Sequence, residues 1–488
     1  MARKTLSEYE RKRSFDRTPE PEGEIGDAGE TGGGRFVIQE HHATRLHWDL
    51  RLERDGVAVS WALPRGIPPH PKENRLAVRT EDHPLEYLEF EGRIPAGQYG
   101  AGTMTIWDRG SYSAEKFRDD KVIVSLHGER VRGTYALFPT KGDNWMIHRM
   151  DPPTDPDRVP MPEGGIRPMT ATLSKRLPRD EEGWAFELKW DGVRAIAYCE
   201  AGHFRLESRN LREITSQYPE VRPIAASLGA RQTILDGEIV AFSEDGTPDF
   251  QALQGRMHLG SEAAVRRRAK ETPVTYVIFD LLFCEGHDLC GLPYSERRQR
   301  LQALGLDGPS WQTPAARPRD GRALLKLTAD RGLEGVVAKR TESRYLPGRR
   351  SSSWLKVKNV ESQDFVIGGW MPGEGSRSQT LGALLAGYYE EADGELCLRY
   401  AGRVGTGFRE DTLRRLSGLL GKLETAESPF AGRQPPKQAR FAEPRLVAEV
   451  EFRQWTAART LRAPSFKGLR DDRDPTDVRR ETAGAAGA

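Results

Sequence analysis

The chain has 488 residues, enough for roughly two to four domains. Lys and Arg number 74 against 72 Asp and Glu, and the resulting net charge of +2 argues against a protein that holds nucleic acid through a strong overall basic excess. The sequence lacks an apolar run of about 20 residues, which excludes a membrane-spanning helix. The four scattered cysteines form no C-x-x-C pair, which excludes a disulfide framework and an all-cysteine zinc site. No secretory signal is visible, and we expect a reducing, cytoplasmic location.

The N-terminal third divides into three segments. Residues 1–33 are charged and carry few apolar side chains, so we predict a flexible arm. Between residues 34 and 152, short runs alternate apolar and polar residues and are separated by turn residues, a pattern typical of a small β-barrel or sandwich. Residues 153–166 are rich in Pro, Asp and Gly and are predicted to form a linker.

The remaining two thirds predict two further domains. Residues 167–361 alternate strand-like and helix-like stretches, which favours an α+β domain. Residues 362–475 return to a strand pattern around one helical stretch and suit a five-stranded barrel of the OB type. Residues 476–488 are predicted to be a disordered tail. The predicted fold class is therefore multi-domain α+β, with a small β-barrel, a central α+β domain and a C-terminal OB-fold barrel.

The first candidate site lies in the segment LHWDLRLE. Side chains alternate across a strand, so His47, Asp49 and Arg51 share one face there. Another strand or turn could bring His41 alongside them. Two imidazoles and one carboxylate suit Mn²⁺ or Zn²⁺, and Arg51 would hold a phosphate through two hydrogen bonds. A solvent-facing polar strand would show the same pattern, and the residues alone leave both interpretations open.

The second candidate site begins at ELKWDGVR, where Glu187, Lys189 and Asp191 are predicted to share a strand face. A nucleophilic lysine needs a lowered pKa, which burial or neighbouring cations provide. Lys356 and Lys358 in WLKVK would favour neutral Lys189 and bind a phosphate if their strand lines the same pocket.

A nucleotide at this site would be held by side chains, because the sequence contains no G-x-x-x-x-G-K-[ST] loop. The carboxylates of Glu238 and Glu334 suit Mg²⁺ or ribose hydroxyls, and Phe279 could stack on a base. Taken singly, each of these residues is weak evidence, because such a Phe is more often a core residue and such a Glu more often a surface residue. The further candidates are Arg194 and Arg209.

The front of the chain shows a family resemblance, carried by RFVIQEHHATRLHWDLRLE, SWALPRG, RLAVRTEDHPLEY, FEGRIPAGQYGAGTMTIWDRG and NWMIH. Residues 5–150 resemble the 3′-phosphoesterase domain of bacterial DNA ligase D. The resemblance implies that His41, His47 and Asp49 hold the metal, Mn²⁺. It implies catalytic roles for Arg51 and for His83, the latter as general acid or phosphate ligand. The residues that it implies at the phosphate or the DNA end are Arg13, Glu20, Arg65, Arg75 and Tyr87.

Residues 165–475 resemble the ATP-dependent DNA ligases. The motifs are K-x-D-G-x-R (Lys189–Arg194), S-R-N (Ser208–Asn210), D-G-E (Asp236–Glu238), F-D (Phe279–Asp280), E-G-V-V-A-K (Glu334–Lys339), W-L-K-V-K (Trp354–Lys358) and LRAPSFKGLR (Leu461–Arg470). The resemblance implies that Lys189 attacks the α-phosphate of ATP, that AMP then passes to the 5′-phosphate of a nick, and that the 3′-hydroxyl displaces it. Mg²⁺ would lie at Glu238 or Glu334. The residues that it places around the nucleotide are Glu187, Arg194, Arg209, Phe279, Lys356 and Lys358. Arg462, Lys467 and Arg470 would face the pyrophosphate when the OB domain closes, and that domain would then swing away around residues 359–364 to grip duplex DNA.

Together the two resemblances imply an enzyme of non-homologous end joining that heals a 3′ end and then seals it. The implied substrates are double-stranded DNA ends and nicks in the bacterial cytoplasm, in association with the nucleoid. The implied partners are the Ku end-binding protein and a separate polymerase, because 488 residues leave no room for the family's polymerase domain.

Three alternatives compete with this interpretation. An RNA-capping guanylyltransferase shares the K-x-D-G nucleophile, although the front half argues against it. An NAD-dependent ligase would need a cysteine zinc module, which these cysteines cannot build. A DNA-end-binding scaffold with ligase activity but a decayed phosphoesterase is the third. It is suggested by Arg65, where the family carries Lys, and by Ser14, where it carries Asp.

Overall fold

The computed structural model describes residues 6–26, 32–153, 155–257, 259–359, 361–373, 380–392, 394–456 and 458–481. The strands and helices of these residues group into N-terminal, central and C-terminal domains, and the fold is multi-domain α+β as predicted. No helix among the described residues is both long enough and apolar enough to cross a membrane.

The N-terminal domain is a closed sheet in the order β1-β2-β3-β4-β9-β8-β7-β6-β5, and a second pairing between β1 and β6 closes it into a barrel. Every run that the alternation in this part of the sequence predicts to be a strand forms a strand. The short strand β5 was not predicted. The elements are α1 (Ser7–Arg11), β1 (Gly33–His42), β2 (Leu46–Arg54), β3 (Val57–Leu63), β4 (Asn74–Arg79), a 3₁₀ helix (Leu85–Glu89), β5 (Gly92–Ile94), β6 (Gly102–Arg118), β7 (Lys121–Gly128), β8 (Arg132–Lys141) and β9 (Asn144–Arg149).

The N-terminal arm is packed over residues 6–26, which corrects the prediction of a flexible arm there. Leu6 joins the barrel core, and Tyr9 is fully buried beside Tyr87, with ring centroids 6.0 Å apart. Few apolar residues suffice to hold the arm, because each of them fills a preformed site on the barrel wall. Residues 1–5 and 27–31 of the predicted arm lie outside the described residues.

The central domain contains two sheets, in the orders β10-β20-β19-β11-β18 and β13-β12-β14-β15-β16, with β17 pairing to β15. Its strands are β10 (Thr170–Leu173), β11 (Trp184–Leu188), β12 (Val193–Glu200), β13 (His203–Ser208), β14 (Thr233–Ala241), β15 (Val274–Cys284), β16 (His287–Asp288), β17 (Trp311–Gln312), β18 (Arg317–Pro318), β19 (Gly335–Arg340) and β20 (Arg350–Lys358). Its helices are α2 (Ile224–Ser227), α3 (Phe250–Gln254), α4 (Glu262–Glu271), α5 (Tyr294–Ala303) and α6 (Gly321–Asp330).

The C-terminal domain contains a seven-stranded sheet around the path β24-β26-β21-β22-β23-β25, with β29 paired to β26. The predicted helical stretch is α7. The elements are β21 (Glu361–Pro372), β22 (Leu381–Ala392), β23 (Glu395–Val404), α7 (Glu410–Lys422), β24 (Glu424–Thr425), β25 (Phe430–Ala431), β26 (Arg440–Phe452), β27 (Gln454–Trp455), β28 (Leu461–Arg462) and β29 (Ser465–Leu469).

Residues 476–481, which follow β29, make defined contacts, which corrects the predicted disordered tail for these residues. A 3₁₀ helix covers Pro475–Asp477, and Asp474 caps it by accepting a hydrogen bond from the Thr476 amide. Val478 is buried against the core of the C-terminal domain. Residues 482–488 lie outside the described residues.

Candidate functional site

A three-residue metal-ligand cluster forms where β1 and β2 pair in the N-terminal barrel. The antiparallel register places His41 opposite His47 and Gln39 opposite Asp49. One possible ligand atom from each of His41, His47 and Asp49 lies within 4.8 Å of the others. The structure thus brings the predicted metal ligands together, because two ligands face each other across the hairpin and the third follows two residues along β2.

Hydrogen bonds around the two imidazoles leave one nitrogen of each ring facing Asp49. Nε2 of His41 lies 2.8 Å from the Gly100 carbonyl, and Nδ1 of His47 lies 2.9 Å from the Arg45 carbonyl. A carbonyl accepts a hydrogen bond, so these nitrogens carry the protons and the opposite nitrogens keep free lone pairs. Those free nitrogens lie 3.7 Å from the Asp49 carboxylate. The donor set therefore fits a divalent metal.

The Asp49 carboxylate is held in its charged form. Burial opposes ionisation, but the Arg51 guanidinium beside the carboxylate outweighs it and the pKa of Asp49 lies at about 2. Arg51 donates to Asp49 at 2.9 Å, to Gln39 Oε1 at 2.6 Å and to Ser60 Oγ at 2.9 Å. Arg51 is therefore fixed in position by three acceptors rather than free to sample solvent.

The N-terminal arm reaches Arg51 through His83, which contacts both Arg51 and Arg13 of the arm. His83 is buried between two guanidinium groups, with Arg51 3.0 Å from Nδ1 and Arg13 3.2 Å from Nε2. Burial, then Arg51 and Arg13, lower the pKa of His83 well below its usual value. His83 is thus neutral near pH 7, which favours the phosphate-ligand role over that of a general acid.

Glu20 links the arm to the barrel. It accepts hydrogen bonds from Arg13 at 2.7 Å and from the Tyr87 hydroxyl at 2.8 Å. Glu81 accepts from Arg13 on the other side at 2.9 Å. The predicted contacts Arg13, Glu20 and Tyr87 therefore form one network with His83.

Arg65 and Arg75, the other predicted phosphate contacts, lie apart from this network. Arg75 donates to Glu73 at 2.6 Å and to Glu200 of the central domain at 2.5 Å, and it also donates to the Arg65 carbonyl. The Arg65 side chain is exposed. In this structure Arg75 therefore joins two domains, and its predicted role at the phosphate stays a prediction.

A cavity of about 510 Å³ lies between the two sheets of the central domain and the C-terminal domain. The structure gathers here the nucleotide contacts predicted in the central domain, although long stretches of sequence separate them. The predicted residues that line the cavity are Glu187, Lys189, Arg194, Arg209, Glu238, Phe279, Glu334, Lys356 and Lys358.

Lys189 lies just beyond the end of β11, so the predicted strand face shared by Glu187, Lys189 and Asp191 is interrupted after Leu188. The Lys189 amide donates to the Gly335 carbonyl at 2.9 Å, and its ammonium group donates to the Glu334 carboxylate. Burial would lower the pKa of Lys189, but Glu334 outweighs burial and raises it. The prediction that nearby lysines keep Lys189 neutral is therefore wrong for this state, because a carboxylate lies nearer than they do.

Phe279 and Arg194 form one side of the cavity. The Arg194 guanidinium lies 4.4 Å from the centre of the Phe279 ring. It is fixed there by two hydrogen bonds of 2.6 and 2.7 Å to the buried Asp236, which also accepts from the Tyr345 hydroxyl at 2.6 Å. One face of the aromatic ring thus has a fixed cation next to it.

Glu187 faces a buried lysine that the sequence did not predict. Lys339 lies 2.7 Å from one carboxylate oxygen of Glu187, and the Tyr294 hydroxyl donates to the other. The Lys339 ammonium also lies 4.6 Å from the centre of the Phe279 ring and 4.3 Å from that of Trp354. Burial lowers the pKa of Lys339. The signal that could have identified Lys339 from the sequence is its position at the end of the motif E-G-V-V-A-K.

Lys358 and two carboxylates surround the Lys189 amine. Lys358 donates to the Ser362 carbonyl and hydroxyl at 2.7 Å and lies 3.5 Å from Glu334 Oε1. That Glu334 oxygen is buried without a hydrogen-bond partner among the described residues. Burial raises the pKa of Glu238 to about 7. An unpartnered Glu334 oxygen beside a nucleophile, with the Glu238 carboxylate in the same cavity, fits the donor set that a divalent cation prefers.

The C-terminal domain completes the cavity through Arg470 rather than through Arg462 or Lys467. Arg470 donates to Glu449 at 3.1 Å and to Asp472 at 2.9 Å. Arg462 is exposed on β28, outside the cavity lining, and Lys467 lies in an adjoining groove beside Glu451, at 3.0 Å. In this arrangement Arg462 lies outside the cavity, on a strand that pairs with β27. The predicted roles of Arg462 and Lys467 at the pyrophosphate, which the resemblance ties to closure of the OB domain, stay predictions.

Family comparisons agree with both sites. The DNA ligase D 3′-phosphoesterase domain matches residues 39–139, the ATP-dependent DNA ligase domain matches residues 168–358, and the C-terminal region of ATP-dependent DNA ligases matches residues 377–473. A solved structure of mycobacterial DNA ligase D complexed with ATP and MES is 38% identical, with a TM-score of 0.50, and the match covers 65% of this chain and 98% of that one. The chain belongs to the DNA ligase D family.

Curated relatives extend the ligase D match over nearly the whole chain. The multifunctional non-homologous end joining protein LigD of Mycolicibacterium smegmatis is 46% identical over 97% of this chain, and that of Pseudomonas aeruginosa is 38% identical over 97% of it. The chain spans 61% of the length of each of these relatives. The family resemblance inferred from the motifs is confirmed.

Several side chains lie at the candidate sites although the motifs did not single them out. Gln39 shares a strand face with His41, so alternation along β1 could have found it. Tyr9, Glu81 and Glu449 carried no such signal, because their partners lie far away along the chain.

Proposed function

We propose that this chain is a DNA-end-processing enzyme with two active sites: an ATP-dependent DNA ligase and a metal-dependent 3′-phosphoesterase. The observation that carries the proposal is the presence of two complete sets of side chains in one chain. One is the metal-ligand cluster of His41, His47 and Asp49, and the other is Lys189 in a cavity lined by cations and an aromatic ring. A binding scaffold would need neither set.

In the ligase reaction, Lys189 loses a proton and its amine attacks the α-phosphate of ATP, which forms a phosphoramidate bond and releases pyrophosphate. The AMP then passes to the 5′-phosphate of a nick and frees Lys189. Finally the 3′-hydroxyl attacks that phosphate, closes the DNA strand and releases AMP. Phosphoryl transfer depends on positioning and charge neutralisation, which Lys356, Lys358 and Arg194 supply around the α-phosphate.

Lys189 must first be released from Glu334, because the ion pair between them keeps the amine protonated. Glu334 and Glu238 would hold Mg²⁺, which neutralises phosphate charge when bound. A carboxylate engaged by a cation no longer raises the pKa of Lys189, so the same residue would control both metal binding and the availability of the nucleophile.

In the phosphoesterase reaction, His41, His47 and Asp49 would hold Mn²⁺, which polarises a phosphate oxygen when bound. Arg51 is fixed beside the ligands and can donate to the phosphate, whereas His83 would donate only after its single N–H leaves the Glu81 carbonyl, 2.9 Å from Nδ1. The phosphoester bond at the 3′ end is hydrolysed with one water, which leaves the 3′-hydroxyl that the ligase needs. Arg13, Glu20 and Tyr87 position these groups, and Arg65 and Arg75 would contact the DNA end.

The proposed setting is non-homologous end joining in the bacterial cytoplasm, on double-stranded ends and nicks at the nucleoid. Both sites bind phosphate esters of DNA, so binding to DNA should weaken with added salt. Ku and a separate polymerase are the proposed partners. This part of the proposal rests on the family to which the chain belongs and on no individual residue.

The test of the ligase assignment is covalent labelling with α-labelled ATP or GTP, followed by a denaturing gel kept free of acid, which would hydrolyse a phosphoramidate. We expect label from ATP on the chain and none on Lys189→Ala. Label from GTP alone would favour a capping guanylyltransferase, and label on Lys189→Ala would contradict the assignment.

The matching test of the phosphoesterase is a primer that ends in a 3′-phosphate or in one ribonucleotide, incubated with Mn²⁺. We expect trimming to a 3′-hydroxyl by the unmodified chain and none by His47→Ala. An intact primer, together with normal ligation, would indicate the scaffold alternative with a decayed site.

A further inference from the structure

The segment Val478–Glu481, which follows the 3₁₀ helix after β29, forms part of the wall of the nucleotide cavity. It is tied to the C-terminal domain by backbone contacts. The Tyr389 amide donates to the Val478 carbonyl at 2.8 Å, and Gln363 Nε2 donates to the Arg479 carbonyl at 3.0 Å. The Glu481 amide in turn donates to Gln363 Oε1 at 2.8 Å. These contacts hold the Glu481 side chain over the cavity.

The Glu481 carboxylate binds the central domain at Lys356. Nζ of Lys356 donates to both carboxylate oxygens, at 2.9 and 2.8 Å. Both side chains are largely buried, with relative exposures of 16% for Lys356 and 23% for Glu481. Burial opposes ionisation of Glu481, but Lys356 and Lys358 outweigh it and hold its pKa at about 2. The group in contact with Lys356 is therefore a charged, two-oxygen anion.

A phosphate bound at Lys356 would accept hydrogen bonds from the same ammonium group that donates to Glu481 in this structure. An ammonium group on a fixed strand offers three protons, and the Glu481 oxygens accept from it in the cavity that also contains Lys189 and Arg194. A carboxylate and a phosphate present the same feature to such a donor, namely paired anionic oxygens. Because two anions in contact with one buried lysine repel each other, the two cannot occupy it together without a cost.

We propose that Glu481 occupies the phosphate position at Lys356 when no nucleotide is bound, and that the segment Val478–Glu481 is displaced from Lys356 when ATP enters. This inference rests on the proposed ligase function and adds a built-in competitor to it. The apparent affinity for ATP is then lowered by the fraction of molecules in which Glu481 holds Lys356. The same contact links the central and C-terminal domains, so its release removes one of the bonds between them.

The test measures ATP binding separately from chemistry. In the Lys189→Ala background no covalent product forms, so the dissociation constant for ATP reports the cavity alone. We expect Glu481→Gln, which keeps the shape of the side chain and removes its charge, to lower that constant by about tenfold. The matched control is Asp477→Asn, which removes a charge from the same cavity wall without a bond to Lys356 and should change the constant less than twofold.

The possible outcomes separate the competitor from other roles. An equal effect of both variants would mean a general charge effect and would overturn the proposal, as would no effect of Glu481→Gln. If Lys189→Ala binds no ATP at all, the proposed nucleotide site itself fails. If Glu481 instead latches the domains together for catalysis, Glu481→Gln with Lys189 intact would slow the maximal rate of AMP labelling without lowering the ATP concentration at half-maximal rate.

A second readout follows the segment itself. Amide hydrogen exchange of the peptide that contains residues 478–481 should accelerate when ATP is added to the Lys189→Ala chain, because displacement breaks the bond between the Glu481 amide and Gln363. Slower exchange with ATP would mean that the segment closes over the nucleotide, which contradicts displacement.

Discussion

The metal-ligand cluster and the nucleotide cavity are built in opposite ways. His41, His47 and Asp49 come from one hairpin, and strand register alone brings them together. The cavity instead gathers side chains from two sheets and a second domain, so that Lys189 pairs with Glu334 and Lys356 with Glu481 across long stretches of chain. Alternation along one strand therefore places His47 and Asp49 on a common face, whereas residues of an assembled site can be connected only through a set of ordered motifs.

From this difference we predict that substitution of Arg51 causes the largest single loss of stability and activity. Its guanidinium is buried among acceptors from β1, β2 and β3, so Arg51→Ala removes the partner of a buried charge, Asp49. We expect the N-terminal domain to lose about 3 kcal/mol or more of unfolding free energy, together with the 3′-phosphoesterase activity. Thermal unfolding and primer trimming measure the two losses, and AMP labelling should be retained. The control is Arg93→Ala, at an exposed position of β5, which should behave like the unmodified chain.

A smaller loss is expected at the nucleotide cavity, because its contacts are spread over more elements. Asp236→Asn weakens the two hydrogen bonds that fix Arg194 and the one from Tyr345. Charged hydrogen bonds of this kind contribute about 1.5–3 kcal/mol. We expect weaker ATP binding and a lower melting temperature, both measurable in the Lys189→Ala background. Exposed Asp330→Asn at the end of α6 is the control, and equal behaviour of the two variants would contradict the role given to Asp236.

The third prediction concerns the pH at which His83, in the N-terminal site, binds a proton. Because burial and two guanidinium groups lower its pKa, His83 binds its proton only well below pH 6.5, whereas the same residue in the unfolded chain binds it near pH 6.5. The neutral ring thus contributes stability above pH 6.5 that is lost as the pH falls. In proton NMR spectra, the ring signal that disappears in His83→Asn should stay constant between pH 8 and pH 6. A midpoint near pH 6.5 would contradict the packed arm.

The smallest effect is expected at the contact between the N-terminal and central domains. Glu200→Gln weakens the bond to Arg75 and leaves both candidate sites intact. We expect AMP labelling to be unchanged and the radius of gyration in X-ray scattering to increase slightly as the domains separate. Glu73→Gln weakens a hydrogen bond of Arg75 within its own domain and should leave the radius unchanged. An equal response of the two variants would mean that this contact does not join the domains.

Much of the fold was predictable because it depends on local patterns. The strand runs of the N-terminal barrel, the helix α7 and the order of the three domains all follow from alternation, helical periodicity and turn residues. The packed arm was missed because a few anchors such as Leu6 and Tyr9 bind to a surface that only the folded barrel creates.

The sequence predicted which residues form the candidate sites, but it did not predict their protonation states. The motifs identified the residues that line the nucleotide cavity, yet the expected neutral Lys189 was wrong because Glu334 is its direct partner. Arg75 and Lys467 pair with carboxylates in this arrangement, and Arg462 lies on a strand paired with β27, so their predicted roles stay predictions. Spacing along the chain predicts which side chains can meet, and only packing decides which of them do.

The most direct test of two separate sites in one chain is a labelled DNA duplex with a single nick that carries a 3′-phosphate and a 5′-phosphate, incubated with ATP, Mg²⁺ and Mn²⁺. We expect the unmodified chain to remove the 3′-phosphate and seal the strand. Lys189→Ala should stop at the 3′-hydroxyl nick, and His47→Ala should leave the 3′-phosphate intact while still sealing a nick that already carries a 3′-hydroxyl. Loss of both activities in either variant, or sealing of the 3′-phosphate nick by His47→Ala, would contradict the account.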